Sequence, residues 1–330
     1  NALCIKIIVK VVLGKVVKVY LSVLIILSKM LCGSQYLVLA SVIKRNKNYK
    51  MVTRIVTALV AIPIGILIIA LNNEVLYYVA MTTFSVIAVY EMLVTTKYLK
   101  NKFTSAVSLI FAAVTPIIFW IEPLRNNVKL IYFGFVVIML LGMLFNHEKA
   151  RFEQVALVAF VSITIPLALC SIAFIRSRFP DHAMFLIVYT MVSAWVGDAG
   201  AYFVGTFFGK HKMCPAISPK KTWEGFVGGI ITSGVFAVIM SFAYELIDSM
   251  INGGVHTFSV NWVYLTVLAL VISGLGVVGD LSASLVKREC SVKDFGNILP
   301  GHGGILDRFD SVLVVAPFMA LAFKYFTEIL

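Results

Sequence analysis

Long uninterrupted apolar windows constrain the fold of this chain more than any other feature. Nine windows of roughly 18–25 residues follow Met51, and each is long enough to cross a hydrocarbon core as a helix. They cover residues 54–71, 75–95, 104–121, 128–146, 154–175, 183–208, 224–246, 262–284 and 311–327. A content of 60% hydrophobic and 13% charged residues excludes an ordinary soluble domain. The predicted fold is an all-α polytopic integral membrane protein with about nine transmembrane helices.

The basic residues are concentrated in alternate loops, and this pattern predicts the orientation in the membrane. The richer set of loops includes residues 209–223 and 287–310, which are also the two most polar loops of the chain. The positive-inside rule places this set in the cytoplasm. The net charge of +12 therefore reflects membrane topology, and we expect no nucleic-acid partner. We expect a multi-pass protein of the inner or plasma membrane, with one cytoplasmic site built from both polar loops.

The first 50 residues differ from the rest of the chain. Lysines interrupt their apolar pattern every few residues, and a basic run precedes Met51. We interpret residues 1–50 as an extension outside the active fold. Residues 51–180 are predicted to hold N-terminal transmembrane helices, and residues 181–330 the catalytic transmembrane region.

One motif region runs from Trp195 to Gly229. Its Asp198 lies inside an apolar span, where an unpaired carboxylate is costly, so it indicates either a functional cavity or a packed interface with one satisfied aspartate. The sequence Ser-Pro-Lys-Lys-Thr at 218–222 precedes the next span. Hydroxyl caps, free backbone N–H groups and two lysines at a helix start would form an anion site. The alternative is a basic loop that meets anionic lipid headgroups.

The second motif region follows the eighth span. It begins at Asp280 and continues through a polar loop to Asp310. Three glycines around His302 predict a tight turn that approaches a ligand closely. His302 itself is a candidate general base, a hydrogen-bond donor to phosphate, or a residue that packs within the loop. Carboxylates that converge here would suit Mg²⁺, and the basic side chains would suit phosphate, a combination typical of phosphoryl or nucleotidyl transfer.

The residues of this second region carry a specific resemblance. The segments 282–288, 292–296 and 299–310 resemble, in order, the C-terminal signature of bacterial phosphatidate cytidylyltransferases, also called CDP-diacylglycerol synthases. The Asp-x-x-Ala-Tyr-x-x-Gly and Ser-Pro-Lys-Lys-Thr-x-Glu-Gly elements of the first region are also similar to that family. The resemblance covers about residues 51–330 and does not include residues 1–50. The small residues on either side of Asp198 depart mildly from the family pattern.

The resemblance implies the conversion of CTP and phosphatidate into CDP-diacylglycerol and pyrophosphate. It also implies Mg²⁺, a membrane of phospholipids around the protein and a homodimer, and it leaves a second, monovalent cation such as K⁺ open. The lipid phosphate would itself attack CTP, so no covalent enzyme intermediate is expected. The residues expected to act in catalysis are Asp280, Asp307, Lys293 and His302. Those expected to bind substrate phosphates are Asp198, Ser218, Lys220, Lys221, Lys287, Arg288, Asp294 and Arg308. The expected metal ligands are Asp280, Asp307 and Asp310.

Two other functions fit parts of the pattern. A CTP-dependent polyprenol or phytol kinase would also need a membrane lipid, a metal and basic loops. A transporter could place charged residues at broken helices, although its charges should lie near the middle of the bilayer. Most of the charged residues here are predicted at one membrane face.

Overall fold

A computed structural model of the chain describes residues 47–98, 102–147, 151–251, 260–299, 301 and 303–325. By its internal contacts the chain divides into Asn1–Val56 and Thr57–Leu330. Most of the predicted extension at residues 1–50 lies outside the described residues. The predicted boundaries at residues 50 and 180 stay predictions.

Helices make up almost all of the described chain, and the remainder is one short hairpin and loops. In chain order the elements are α1 (Lys47–Leu71), α2 (Glu74–Thr95), α3 (Lys102–Trp120), α4 (Glu122–Asn126), α5 (Val128–Phe145), α6 (Phe152–Arg178), α7 (Ala183–Phe208), β1 (Lys212–Cys214), β2 (Ser218–Thr222), α8 (Trp223–Ile251), α9 (Trp262–Glu289), α10 (Leu306–Phe309) and α11 (Val312–Tyr325). The predicted all-α class is confirmed.

The predicted number of nine spans is not confirmed. Among the described residues, seven helices are long and apolar enough to cross a membrane, namely α2, α3, α5, α6, α7, α8 and α9. The first predicted span contributes a shorter apolar stretch at Leu59–Leu71. The last, α11, has 14 helical residues. A helix of that length rises about 21 Å, which is less than a hydrocarbon core of about 30 Å.

The helices form two groups that share α11. In one group α2, α3 and α6 pack against one another, and in the other α8 packs against both α7 and α9. The last helix contacts α6 of the first group and α9 of the second. The segment that leads into α11 is therefore held where both groups meet, and this segment carries Asp307 and Asp310.

Glycines allow α7 and α8 to approach closely. A Cβ atom on Gly225 would lie 2.6 Å from the backbone oxygen of Ala201 and 3.1 Å from the Cα of Gly205. Both are backbone atoms, so neither can move aside like a flexible side chain. Gly225 therefore serves the close packing of α7 and α8.

Replacing Gly225 should consequently destabilise the protein. We expect Gly225→Ala to lower the free energy of unfolding by about 1–3 kcal/mol, because the added methyl group overpacks the interface. Thermal unfolding in a fixed detergent measures this. Gly274→Ala on α9 is the matched control, since nothing lies within 4 Å of its Cβ position. A midpoint for Gly225→Ala equal to that of the unmodified protein would contradict the packing described.

The polar segment between α7 and α8 contains an antiparallel β-hairpin, which corrects the prediction of a simple loop. Strand β1 pairs with β2, with Lys212 opposite Thr222 and Cys214 opposite Ser218. Pro219 lies within β2. A two-stranded ribbon has only edge strands, where a missing N–H group is tolerated.

Two side chains fix the hairpin to α8. The Thr222 hydroxyl accepts the N–H of Gly225 at 3.2 Å, so Thr222 caps the helix as the sequence suggests. The Glu224 carboxylate accepts the N–H of Lys210 at 3.1 Å and contacts His211 Nδ1 at 2.6 Å. The hairpin is thus held at its base and projects a defined face.

Candidate active site

A cavity of about 660 Å³ lies between the hairpin, the start of α8 and the facing parts of α7 and α9. Its charged lining comes from both motif regions of the sequence. The charged residues that line it are Asp198, Lys212, Lys220, Lys221, Asp280 and Asp310. Three carboxylates and three ammonium groups therefore face one space, which suits a ligand that carries phosphate groups together with a cation.

One ion pair joins the two motif regions. The Nζ atom of Lys221, in β2, lies 2.7 Å from Oδ2 of Asp280, in α9. Both side chains are partly exposed, with 20% and 28% of their surface accessible. The sequence predicted that the two polar loops would contribute to one site, and this contact is one structural link between the two motif regions.

Helix α9 extends past the end of the predicted span and aligns polar residues on one face. Asp280, Ser284 and Lys287 are spaced by four and three residues, so their side chains stack along the same side. The Ser284 hydroxyl lies 3.4 Å from Oδ1 of Asp280, a long hydrogen bond. Gly279 lets the backbone at Asp310 approach, because a Cβ there would lie 2.7 Å from the Asp310 carbonyl oxygen.

Asp198 and Asp310 meet around Ser311. The Ser311 hydroxyl donates to Oδ2 of Asp198 at 2.9 Å, and its N–H donates to Oδ1 of Asp310 at 2.8 Å. Burial raises the pKa of Asp310 to about 6, and the neighbouring charge of Asp280 contributes to the shift. An added cation would relieve the charge repulsion between Asp280 and Asp310.

Asp307 occupies a different environment from the other predicted metal ligands. Its Oδ1 accepts the ammonium group of Lys287 at 3.0 Å, and its Oδ2 accepts the N–H groups of Phe295 at 2.8 Å and Gly304 at 3.0 Å. Only 5% of its side chain is accessible. Asp307 is not among the described residues that line the cavity. A metal ion bound at Oδ1 would share that oxygen with the ammonium group of Lys287.

The remaining predicted site residues that the structure describes are not among those that line the cavity. Arg288 donates from Nε to the Ile217 carbonyl at 3.2 Å and so ties α9 to the tip of the hairpin. Ser218 lies in β2 and does not cap α8. Lys293, Asp294 and Arg308 are exposed and do not line the cavity. The residue His302 lies outside the described residues.

Glu91 near the end of α2 is a residue that the sequence reading missed. It is 2% exposed, and its carboxylate accepts the N–H groups of Ile305 at 3.0 Å and Leu306 at 2.9 Å. A single acidic residue inside an apolar span is a pattern that could have identified it, because such a charge needs partners.

The donor types of the cavity fit a divalent cation. Asp198, Asp280 and Asp310 supply the carboxylate oxygens that Mg²⁺ prefers. Within the ranges that the structure describes, no three His, Cys, Asp or Glu side chains form a complete metal site. Magnesium commonly takes one or two carboxylates and completes its coordination with water and substrate phosphates. An incomplete protein ligand set is therefore compatible with an ion that arrives with a phosphorylated substrate.

The chain is similar in sequence to one family of known proteins and to several of its members. The cytidylyltransferase family matches residues 52–326 of the chain. A phosphatidate cytidylyltransferase of Bacillus subtilis is 39% identical over 193 residues, which is 58% of this chain and 66% of that protein. A protein of the same name from Haemophilus influenzae is 43% identical over 150 residues, or 44% and 47% of the two chains.

A third relative is matched over more of its length. The phosphatidate cytidylyltransferase of Rickettsia bellii is 31% identical over 202 residues, covering 61% of this chain and 81% of that protein. The matched segments span less than two thirds of the Bacillus and Haemophilus proteins.

Proposed function

Because the chain belongs to the cytidylyltransferase family, we propose that it transfers the cytidylyl group of CTP to phosphatidate. The products are CDP-diacylglycerol, a precursor for phospholipid synthesis, and pyrophosphate. The relatives from Bacillus and Haemophilus carry the name phosphatidate cytidylyltransferase, which supports this choice of substrates.

The observation that carries the proposal is the ion pair between Lys221 and Asp280. It joins two motif regions that are about 60 residues apart in sequence across one cavity with both carboxylate and ammonium groups. Nucleotidyl transfer needs that combination, since negative charge must be neutralised on the nucleoside triphosphate and on the departing pyrophosphate.

The proposed reaction is a direct displacement. A phosphate oxygen of phosphatidate attacks the α-phosphorus of CTP. The bond between that phosphorus and the oxygen that bridges the α- and β-phosphates breaks, and this oxygen leaves with pyrophosphate. Lys220 and Lys221 of the hairpin, with Lys212, bind phosphate oxygens and hold the two substrates at attack distance. No protein nucleophile takes part, because the lipid phosphate is already one.

We propose that Mg²⁺ binds at Asp280 and Asp310, with Asp198 beside them. When bound, the ion would supply Lewis-acid stabilisation of charge on the phosphate oxygens. Asp198 also positions Ser311, and through it the start of α11. Lys287 and Arg288 hold Asp307 and the hairpin tip in place, and Arg308, Lys293 and Asp294 remain proposed contacts at the rim.

The lipid substrate accounts for a site at the end of membrane-spanning helices. The acyl chains would stay in the bilayer beside α7 and α8, while the phosphate group reaches the cavity at the level of the hairpin. The distribution of basic loops supports a cytoplasmic site in the inner or plasma membrane. We also propose a homodimer, as expected from the resemblance.

A reconstituted enzyme assay tests the function. Purified protein in phosphatidate-containing vesicles, given CTP and Mg²⁺, should form a CDP-lipid and an equal amount of pyrophosphate. A lipid monophosphate formed from an added polyprenol would favour the kinase. Movement of a solute with no lipid product would favour the transporter.

A further inference from the structure

The loop from residue 290 to residue 305, which connects α9 to α10, is anchored to the far end of α2. Glu91 accepts the N–H groups of Ile305 and Leu306. One helical turn later, the Thr95 hydroxyl donates to the carbonyl of Phe295 at 2.8 Å. Two residues on one face of α2 therefore hold this loop at two points, Phe295 and Ile305–Leu306.

The loop is shaped to receive the Glu91 carboxylate. A Cβ atom on either Gly296 or Gly304 would collide with its oxygens. These two glycines therefore leave room for a protein carboxylate, whereas Gly301 and Gly303, with φ of 79° and 88°, form the turn between them. Gly304 of the His-Gly-Gly run thus makes room for the Glu91 carboxylate.

The anchored segment leads directly to the site. Gly304 donates to Asp307, Phe295 donates to the same carboxylate, and Lys287 lies 5.1 Å from the centre of the Phe295 ring. Phe295 is 3% exposed, so its position is fixed by packing. Displacing the segment next to Glu91 would shift Asp307, and with it Asp310 three residues later.

We propose that Glu91 is a positioning residue that, together with Thr95, holds the 290–305 loop and thereby sets the geometry of Asp307 and Asp310. The inference rests on the proposed function for its effect on catalysis. It assigns a role in the site to the N-terminal half of the chain, which contributes none of the motif residues.

Enzyme kinetics provide the first test. Glu91→Gln keeps the side-chain shape but presents an NH₂ group to one of the two N–H donors, so one hydrogen bond is lost. We expect kcat to fall by about 10- to 100-fold, because small displacements of reacting groups have effects of this size. KM for CTP should change by less than about threefold, since the cavity lysines are untouched. Thr95→Val, nearly isosteric, should lower kcat by about two- to tenfold.

The matched control is Ser85→Ala. Ser85 lies on the same helix and is completely buried, and its hydroxyl has no hydrogen-bond partner in the part of the chain that the structure describes. This variant perturbs α2 without touching the loop, and its kcat should equal that of the unmodified protein.

Limited proteolysis provides a second test that needs no activity. Lys293 is exposed within the loop, and Lys210 is exposed before the hairpin. In detergent, trypsin cleavage after Lys293 relative to cleavage after Lys210 should rise severalfold in Glu91→Gln, because a released loop opens more often. The ratio should stay unchanged in Ser85→Ala.

The outcomes separate this inference from the proposed function. A folded Glu91→Gln protein with unchanged kcat and an unchanged cleavage ratio would overturn the positioning role. The positioning role would also be overturned if kcat fell only as much as the fraction of folded protein and the cleavage ratio stayed constant. If the unmodified protein formed no CDP-lipid, the proposed function would fail, and the cleavage ratio would still decide whether Glu91 holds the loop.

Discussion

Asp280→Asn should reduce the rate of CDP-lipid formation by at least about 100-fold, the scale of effect seen when one group that stabilises transition-state charge is removed. Asparagine has nearly the same shape but no charge, so the variant loses both the ion pair with Lys221 and a carboxylate that we propose binds Mg²⁺. The pair is partly exposed, and its loss should alter stability little, by about 1 kcal/mol or less. Initial rates and thermal unfolding of the same preparation measure both effects.

Asp181→Asn is the charge-matched control for this variant. Asp181 is exposed and lies before the first residue of α7, whereas the cavity is lined by later residues of that helix, from Asp198 onward. It should retain the full rate. An Asp280→Asn protein that works at a rate close to that of the control would show that Asp280 has no part in the chemistry.

Asp307→Asn should also abolish turnover, but with a different effect on stability. The substitution leaves the ammonium group of Lys287 without its counter-charge at a position where 12% of that side chain is accessible. Removing one partner of a buried ion pair destabilises a protein by about 3–5 kcal/mol. We therefore expect a large fall in the unfolding midpoint together with loss of activity, whereas Asp280→Asn loses activity alone.

A double variant separates the two effects of Asp307. Asp307→Asn combined with Lys287→Met removes both charges, so much of the stability should return, because no unpaired charge stays buried. The amide oxygen of asparagine can still accept the N–H groups of Phe295 and Gly304, but activity should not return, because the negative charge that we propose is needed for turnover stays absent. A stable double variant with full activity would mean that this carboxylate is needed only to neutralise Lys287.

The sequence predicted the transmembrane architecture well because span length is a local property. Apolar windows correspond to seven described helices of sufficient length. The last window, residues 311–327, matches the position of α11, of which 14 residues are described. The hairpin was missed because its strands have three and five residues and carry no alternating apolar pattern.

The sequence indicated which residues belong to the candidate site, but not which of them lie next to one another. The sequence indicated Asp280 and Asp307 as a pair, yet the structure groups Asp280 with Asp198 and Asp310 and surrounds Asp307 with its own protein partners. The connection from Glu91 to Ile305 joins residues 214 positions apart, and no local pattern encodes such a contact. Motif order therefore identified the residues, and the three-dimensional structure separates their roles.

The most direct test of the proposed chemistry follows two radioactive labels of CTP in vesicles that contain phosphatidate and the purified protein. The proposal predicts that phosphorus from the α-position enters the lipid product and that phosphorus from the γ-position appears in pyrophosphate. Transfer of the γ-label to lipid would identify a kinase and contradict the proposal, as would the failure of the α-label to enter lipid in a folded, reconstituted protein.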